Sequence, residues 1–538
     1  MTASTTVMID PVTAAGKKRS SRLMNGAITM PNSPVMMTEP RTAQPERRRP
    51  GGGGAAVVVD CIVALHPRRF WWPCSLPVFY AARQTSCHTG AMTTGALWIR
   101  NPLAILADAP GGVVVEGGRI TQVLAAGAVP TGPVQVFDAG RHVVLPGLIN
   151  THHHFYQTLT RCHPAAMDRT LFGWLQALYP VWARLTPDAL DAAVTVAVAE
   201  LMLSGCTTTT DHHYVFPPGL EDAIGIEAAC VARLGMRAVL TRGSMDLSER
   251  DGGLPPECVV QDRDTIMADS ERLIARLHDP APHAMLQVAL APCSPFSVTT
   301  GLMRETAELA ARHNVLLHTH LAETEDEAAF CQARFGCTPV DYLEQCGWLR
   351  PGTWLAHGIH FSDAEMARLA RARVGVAHCA CSNQVLASGA CRVCALEAAG
   401  VAVGLGVDGS ASNDSCNMMQ EVRAAFLLQR GLSGIGAVSH RDALRWATEG
   451  GAACLGRPEL GRIAVGAAAD LALFRLDELR FSGAGDPVAA LVLCGAHRAD
   501  RVMIAGRWTV VDGAIPGLDL AALLVRHNAA SVALRSAA

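Results

Sequence analysis

The chain has 538 residues, of which 50% are hydrophobic and 17% charged, with a formal net charge of -3. That length exceeds one simple core, and the composition rules out a disordered protein. The near-neutral balance excludes a strong field for nucleic acid or an anionic membrane surface.

Residues 1–91 differ from the rest. They hold Arg47-Arg48-Arg49-Pro50 and Gly51 to Gly54 with little sustained periodicity, and read as disordered or as an upstream extension; the apolar patch Cys61 to Leu65 could be a strand. They lack the charged-then-apolar order of a secretory signal. The eighteen cysteines are scattered, which suits a reduced cytoplasm better than a disulfide scaffold. No apolar run reaches the roughly eighteen residues of a membrane span. Lysine occurs only at Lys17 and Lys18, so Schiff-base chemistry and a P-loop lysine are excluded from residue 19 onward.

From about Ala96 the chain becomes strand-like, with Val113 to Ile120 forming two short strands around a Gly turn. His142 to Ile149 reads as one strand ending at a Pro-Gly break. Apolar strands then alternate with helices. The helices include Asp188 to Ser204, Leu302 to His313 and Asp363 to Arg371. The strands include Val239 to Arg242, Leu286 to Ala291, Val315 to His320, Thr353 to Ala356, Val374 to Ala377 and Val401 to Val407. So many strand-helix units predict a closed (β/α)8 barrel; the open doubly wound sheet lacks its Gly-rich first turn here. Past Gly461 strands return, as at Ala469 to Phe474 and Arg501 to Arg507. The expected layout is a small β-sandwich domain from residues 92–145 plus 455–525, around a barrel at 146–454.

Chemistry gathers at strand ends. In Asn150-Thr151-His152-His153-His154, His152 and His154 share a face and His153 points away. A His-rich surface turn would read the same. Leu316 to Glu323 supplies His318, His320 and Glu323; alternation puts both His on one face and does not say which points inward. Trp354 to Gly358 ends in His357, which alone would more often be a core residue. Val403 to Ser410 ends in Asp408, which a helix cap could equally explain. Together, four strands ending in His, Glu or Asp converge at one barrel face. Three His and one Asp fill the protein shell of an open catalytic metal site, where bound water becomes a hydroxide source. Glu323 and His357 remain for proton transfer. Cys379, Cys381, Cys391 and Cys394 could suggest a structural zinc, but their irregular spacing favours free thiols.

The order His-x-His, His320-x-x-Glu323, His357, Asp408 resembles the amidohydrolase superfamily, and within it the mononuclear deaminases. Binuclear members bridge two metals with a carboxylated lysine, which this chain lacks. Asn150 to Arg161, Leu171 to Leu175, Leu290 to Ser297 and Gly406 to Asp414 resemble the 8-oxoguanine deaminases; the hydroxydechloroatrazine ethylaminohydrolase type is similar. The resemblance runs from about Met92 to the C-terminal region. It implies one divalent ion, zinc with iron(II) as the alternative, on His152, His154, His320 and Asp408. Glu323 would protonate a ring nitrogen, while Asp408 and His357 orient and deprotonate water. Gln157, Trp174, Cys293 and, less strongly, His213 become substrate-binding candidates. The implied reaction is hydrolytic deamination of an amino-purine, 8-oxoguanine to urate and ammonia, in a cytoplasmic homo-oligomer without nucleic-acid or membrane partners. Triazine hydrolysis, a guanine- or cytosine-type aminohydrolase and a non-catalytic binding barrel are the alternatives. One departure stands out: the family's His-x-Pro-x-Ser-Asn is His378-Cys379-Ala380-Cys381-Ser382-Asn383 here.

Overall fold

The computed structural model describes residues 95–536; the readings of residues 1–91, including a strand at Cys61 to Leu65, lie outside them. Eight parallel strands close into a barrel. In chain order they are β1 (Leu148–Asn150), β2 (Cys206–His213), β3 (Arg237–Ser244), β4 (Leu286–Pro292), β5 (Leu317–Leu321), β6 (Thr353–His357), β7 (Gly375–His378) and β8 (Val403–Leu405). Closure runs through the pairing of Leu405 with Asn150. Ile149, Val239, Ala289, Trp354 and Ala377, one from each of five strands, fill the interior as a buried cluster. The barrel is thus a packed core whose upper rim is free to carry a site.

Two further sheets draw on both ends of the described chain. One has four strands, Arg119–Leu124, Gly112–Glu116, Ala96–Arg100 and Val134–Asp138. The other has five, Arg507–Val510, Arg501–Ile504, Leu471–Arg475, His142–Pro146 and Ala104–Ile105. Leu97, Ile99, Val113 and Val115 of the first meet Val144, Leu471, Leu473 and Met503 of the second in one apolar cluster, the interleaved face expected of a sandwich.

Two sequence readings change. His142 to Ile149 is two strands in different sheets, divided at Gly147, where a Cβ would lie 2.0 Å from the Thr207 hydroxyl. The barrel strand β2, Cys-Thr-Thr-Thr-Thr-Asp-His-His, has no apolar run to announce it, yet all eight residues are buried. Its β-branched threonines suit extended backbone, with Thr209 Oγ1 accepting from Asn150 Nδ2 at 3.0 Å. No helix among the described residues is long and apolar enough to cross a membrane.

Candidate metal centre

The C-terminal strand ends bring His152, His154, His320, Glu323, His357 and Asp408 to one place, all buried. His154 Nδ1 lies 2.7 Å from the His212 carbonyl, and His320 Nδ1 lies 2.7 Å from the Cys293 carbonyl. A carbonyl only accepts, so both Nδ1 atoms carry the hydrogen and both Nε2 atoms present lone pairs. Those two Nε2 atoms are 3.2 Å apart. Asp408 Oδ1 stands 3.3 Å from the Nε2 of His152 and of His154, and His152 Nε2 is buried without a hydrogen-bond partner. Electron-rich atoms this close, sealed from water, each cost about 1–3 kcal/mol when unsatisfied. A cation among them removes that cost. The donor set therefore fits one divalent ion held by three imidazoles and a carboxylate. Burial pushes the His152 and His320 pKa values well below the usual imidazole range, which keeps both rings neutral, as metal ligation requires.

The backbone is strained at this rim. Ala322, His357 and Asp408 have φ of 53°, 71° and 61°, conformations L-residues seldom adopt outside functional sites. Asp408 is held there by its neighbours: Ser382 Oγ donates to Oδ2 at 2.6 Å and the Gly409 amide to Oδ1 at 2.7 Å. Burial alone would raise its pKa, but the facing His152 and His154 outweigh burial and hold the carboxyl well below the usual range. His357 Nδ1 donates to Asn383 Oδ1 at 2.9 Å, leaving Nε2 3.5 Å from Glu323 Oε2 and 3.9 Å from Asp408 Oδ2. Glu323 is pushed the other way: burial, then the nearby Asp408 charge, raise its pKa well above the carboxylate range. Glu327 steadies this loop by accepting from the Ala322 and Glu323 amides at 2.9 and 3.1 Å. Two carboxyls whose pKa values are pushed apart thus face one space, the pairing that acid-base chemistry needs.

That space, together with the solvent at its mouth, amounts to about 350 Å³. Besides His154, His320, Glu323, His357 and Asp408 its walls include Gln157, Trp174, Tyr214, Cys293 and Phe296. Gln157 Nε2 is buried without a partner, a free donor at the wall. Trp174 is fixed by its indole N–H to the Ala411 carbonyl at 3.0 Å. The Cys293 thiol, pushed up to about 12 by burial, is neutral.

His213 is not at this wall. Its ring donates from Nε2 to the Val215 carbonyl at 2.7 Å and meets Glu227 Oε1 at 2.9 Å. The two-residue period of β2 explains the difference: Asp211 and His213 share one face, and His212 takes the other. His212 is the residue the sequence reading passed over. A nitrogen of its ring lies within 4.8 Å of ligand nitrogens of His152, His154 and His320, and its ring stacks on His320 at 4.7 Å. Between His318 and His320, it is His320 that borders the cavity; His318 stacks on the Trp354 indole at 4.2 Å. Ser382 and Asn383, unassigned from sequence, lie on the helix Ala380–Val385. Ala380 occupies the first position of that helix, a position that accepts proline and alanine alike, so the motif's departure leaves Ser382 and Asn383 in register. Cys379, Cys381, Cys391 and Cys394 are free thiols.

The model of the Amidohydrolase family matches residues 143–509. The chain belongs to the amidohydrolase family. Among its relatives, 8-oxoguanine deaminase of Pseudomonas aeruginosa is 62% identical over 81% of this chain and 98% of that one. Hydroxydechloroatrazine ethylaminohydrolase of Pseudomonas sp. strain ADP is 40% identical over 72% and 82%. Of solved amidohydrolase-fold structures, atrazine chlorohydrolase from Arthrobacter aurescens TC1 complexed with zinc superposes with a TM-score of 0.77 at 30% identity, over 81% of this chain and 100% of that one. The zinc in that structure agrees with the donor set of this amidohydrolase.

A glycine beside the metal centre allows a direct check on the cavity. A Cβ on Gly409 would lie 1.9 Å from Gln157 Oε1, so Gly409→Ala displaces the Gln157 amide. The expected result is kcat/KM lower by about 10–100-fold with metal content unchanged, read by steady-state kinetics and metal analysis.

Proposed function

We propose that this amidohydrolase hydrolytically deaminates an amino-purine, converting 8-oxoguanine to urate and ammonia. The observation that carries the reading is one cavity lined by Glu323 together with His154, His320 and Asp408 of the metal centre. The high identity to 8-oxoguanine deaminase across nearly its whole length supports the substrate.

His152, His154, His320 and Asp408 would hold a divalent ion, which when bound would lower the pKa of water towards neutrality and so supply a nucleophile at physiological pH. The chain's own groups do the rest. Asp408 Oδ2 and His357 Nε2 orient the water and take its proton. Oxygen adds to the amine-bearing ring carbon while Glu323 delivers its proton to the adjacent ring nitrogen, so no full charge builds on the purine. The carbon–nitrogen bond then breaks as the departing amine takes back the proton held at Asp408 and His357 and leaves as ammonia, while the added hydroxyl gives its proton to Glu323 and the ring carbon becomes a carbonyl. Gln157 Nε2 offers a hydrogen bond to an acceptor on the ring edge, and Trp174 and Phe296 bound its faces. The neutral Cys293 thiol contributes shape and a weak donor.

The relative that releases an alkylamine from a triazine gives a second reading. Ammonia release across guanine, 8-oxoguanine, isoguanine, cytosine and hydroxytriazines separates the two. The expected result is highest kcat/KM for 8-oxoguanine with urate formed; faster release of ethylamine from a triazine overturns it. Cytoplasmic location accords with free thiols at every cysteine among the described residues. Exposed Leu427, Leu432 and Ile435 are compatible with the expected homo-oligomer.

A further inference from the structure

We propose that His318 and Trp354 form a positioning bracket that dictates which ring nitrogen of His152 faces the metal. The bracket rests on the metal-centre reading above, but it concerns residues outside the cavity. His318 and Trp354 are paired across β5 and β6, and both are fully buried. Two hydrogen bonds tie them to the residues that follow β1, and a third joins them to each other. Trp354 Nε1 donates to the Thr151 carbonyl at 2.9 Å. His318 Nδ1 lies 2.9 Å from the Trp354 carbonyl. His318 Nε2 lies 2.8 Å from His152 Nδ1. The His318 ring lies on the Trp354 indole at 4.2 Å with planes 16° apart, which fixes its tilt.

Proton placement follows from one end of this series. The Trp354 carbonyl can only accept, so His318 Nδ1 carries a hydrogen. The neutral His318 ring then has its lone pair on Nε2. His152 Nδ1 must donate to it, and the His152 lone pair is left on Nε2, the atom 3.3 Å from Asp408 Oδ1. Both rings have 0% exposure, so the ring nitrogens in this series rely on protein partners and not on bulk water. His154 and His320 obtain the same tautomer from backbone carbonyls, which substitution cannot remove. His152 alone among the three depends on a side chain, and that side chain depends on a carbonyl two bonds away. An outer partner of this kind typically changes metal affinity by about 10–100-fold.

The test compares two similar amides in the full-length protein. Gln at position 318 reaches the place of the His Nε2 and can accept from His152; Asn reaches the place of Nδ1, can satisfy the Trp354 carbonyl, and leaves His152 without an acceptor. Zinc affinity of each apo protein is measured by chelator competition, with circular dichroism to establish that each is folded. Expected are a His318→Gln affinity within a few-fold of wild type and a His318→Asn affinity lower by about 10–100-fold. His318→Phe, which keeps the stack on Trp354 and removes both nitrogens, should match His318→Asn. Equal affinities for the Gln and Asn variants, whether both weak or both at wild-type strength, overturn the bracket. Should one variant fail to fold, the comparison of the remaining acceptor-bearing or acceptor-free variant with wild type decides the same point. Wild-type protein that binds no zinc at all would instead overturn the metal-centre reading, so the two failures are distinguishable.

Discussion

Glu323→Gln is expected to lower kcat by about 100- to 10,000-fold, the usual span for a lost general acid or base, while the metal content stays at the wild-type level. The amide keeps the volume and the 4% exposure of the site but has no proton of carboxylic acidity to give. Glu323 opens on the cavity from the side facing His357, at 3.5 Å. The wild-type pH profile has a matching sign. Burial and the Asp408 charge raise the Glu323 pKa, so the active acid form persists to higher pH than in an ordinary carboxyl and is lost as pH rises through that raised value. Activity should therefore fall on the alkaline side, and the variant's residual activity should lack that limb. The same shift works against stability: the folded state holds a proton the unfolded chain releases at ordinary carboxylate pH, so this group's contribution declines as pH rises from there through the raised value. Full turnover in the variant, measured by ammonia release, would remove Glu323 from the role.

Asp408→Asn is expected to be the more severe change to the metal centre. The substitution is nearly isosteric, yet it removes the only negative charge among the four donors. Ser382, Ser412 and the Gly409 amide all donate towards this carboxylate, and an amide nitrogen turned to either side leaves one of them facing another donor. Since an outer partner alone is worth about 10–100-fold in metal affinity, loss of this ligand should exceed that range. Metal analysis of the purified variant is expected to find well under one ion per chain and activity at background. Retention of wild-type metal content would mean that Asp408 is not a ligand.

Both effects trace to residues legible in the sequence, because each of those side chains ends a recognisable apolar strand. Alternation alone places His152 and His154 on one side of His153, and the repeated strand-helix pattern announces the barrel. What escaped has physical reasons. The strand β2 is built of threonines, so hydrophobic periodicity missed it, and with it the parity that puts His212 at the centre and His213 behind. Alternation gave His318 and His320 the same face; their depth along the barrel separates them, and depth is a property of closure. Ser382 and Asn383 lie on a short helix after β7, and only the neighbouring strands bring them partners: β6 on one side sets His357 against Asn383, and β8 on the other brings Asp408 to Ser382. Pro146-Gly147 was legible as a break, while the side chain of Thr207, from another strand, is what makes glycine necessary there.

The expected metal centre is a single ion held at the barrel rim by three imidazoles and one carboxylate. X-ray absorption on the purified full-length protein, with metal quantified per chain, tests it most directly. About one divalent ion per chain is expected, with a first shell of nitrogen and oxygen scatterers that bears the imidazole signature. A sulfur scatterer in that shell, or no stoichiometric metal, would contradict it.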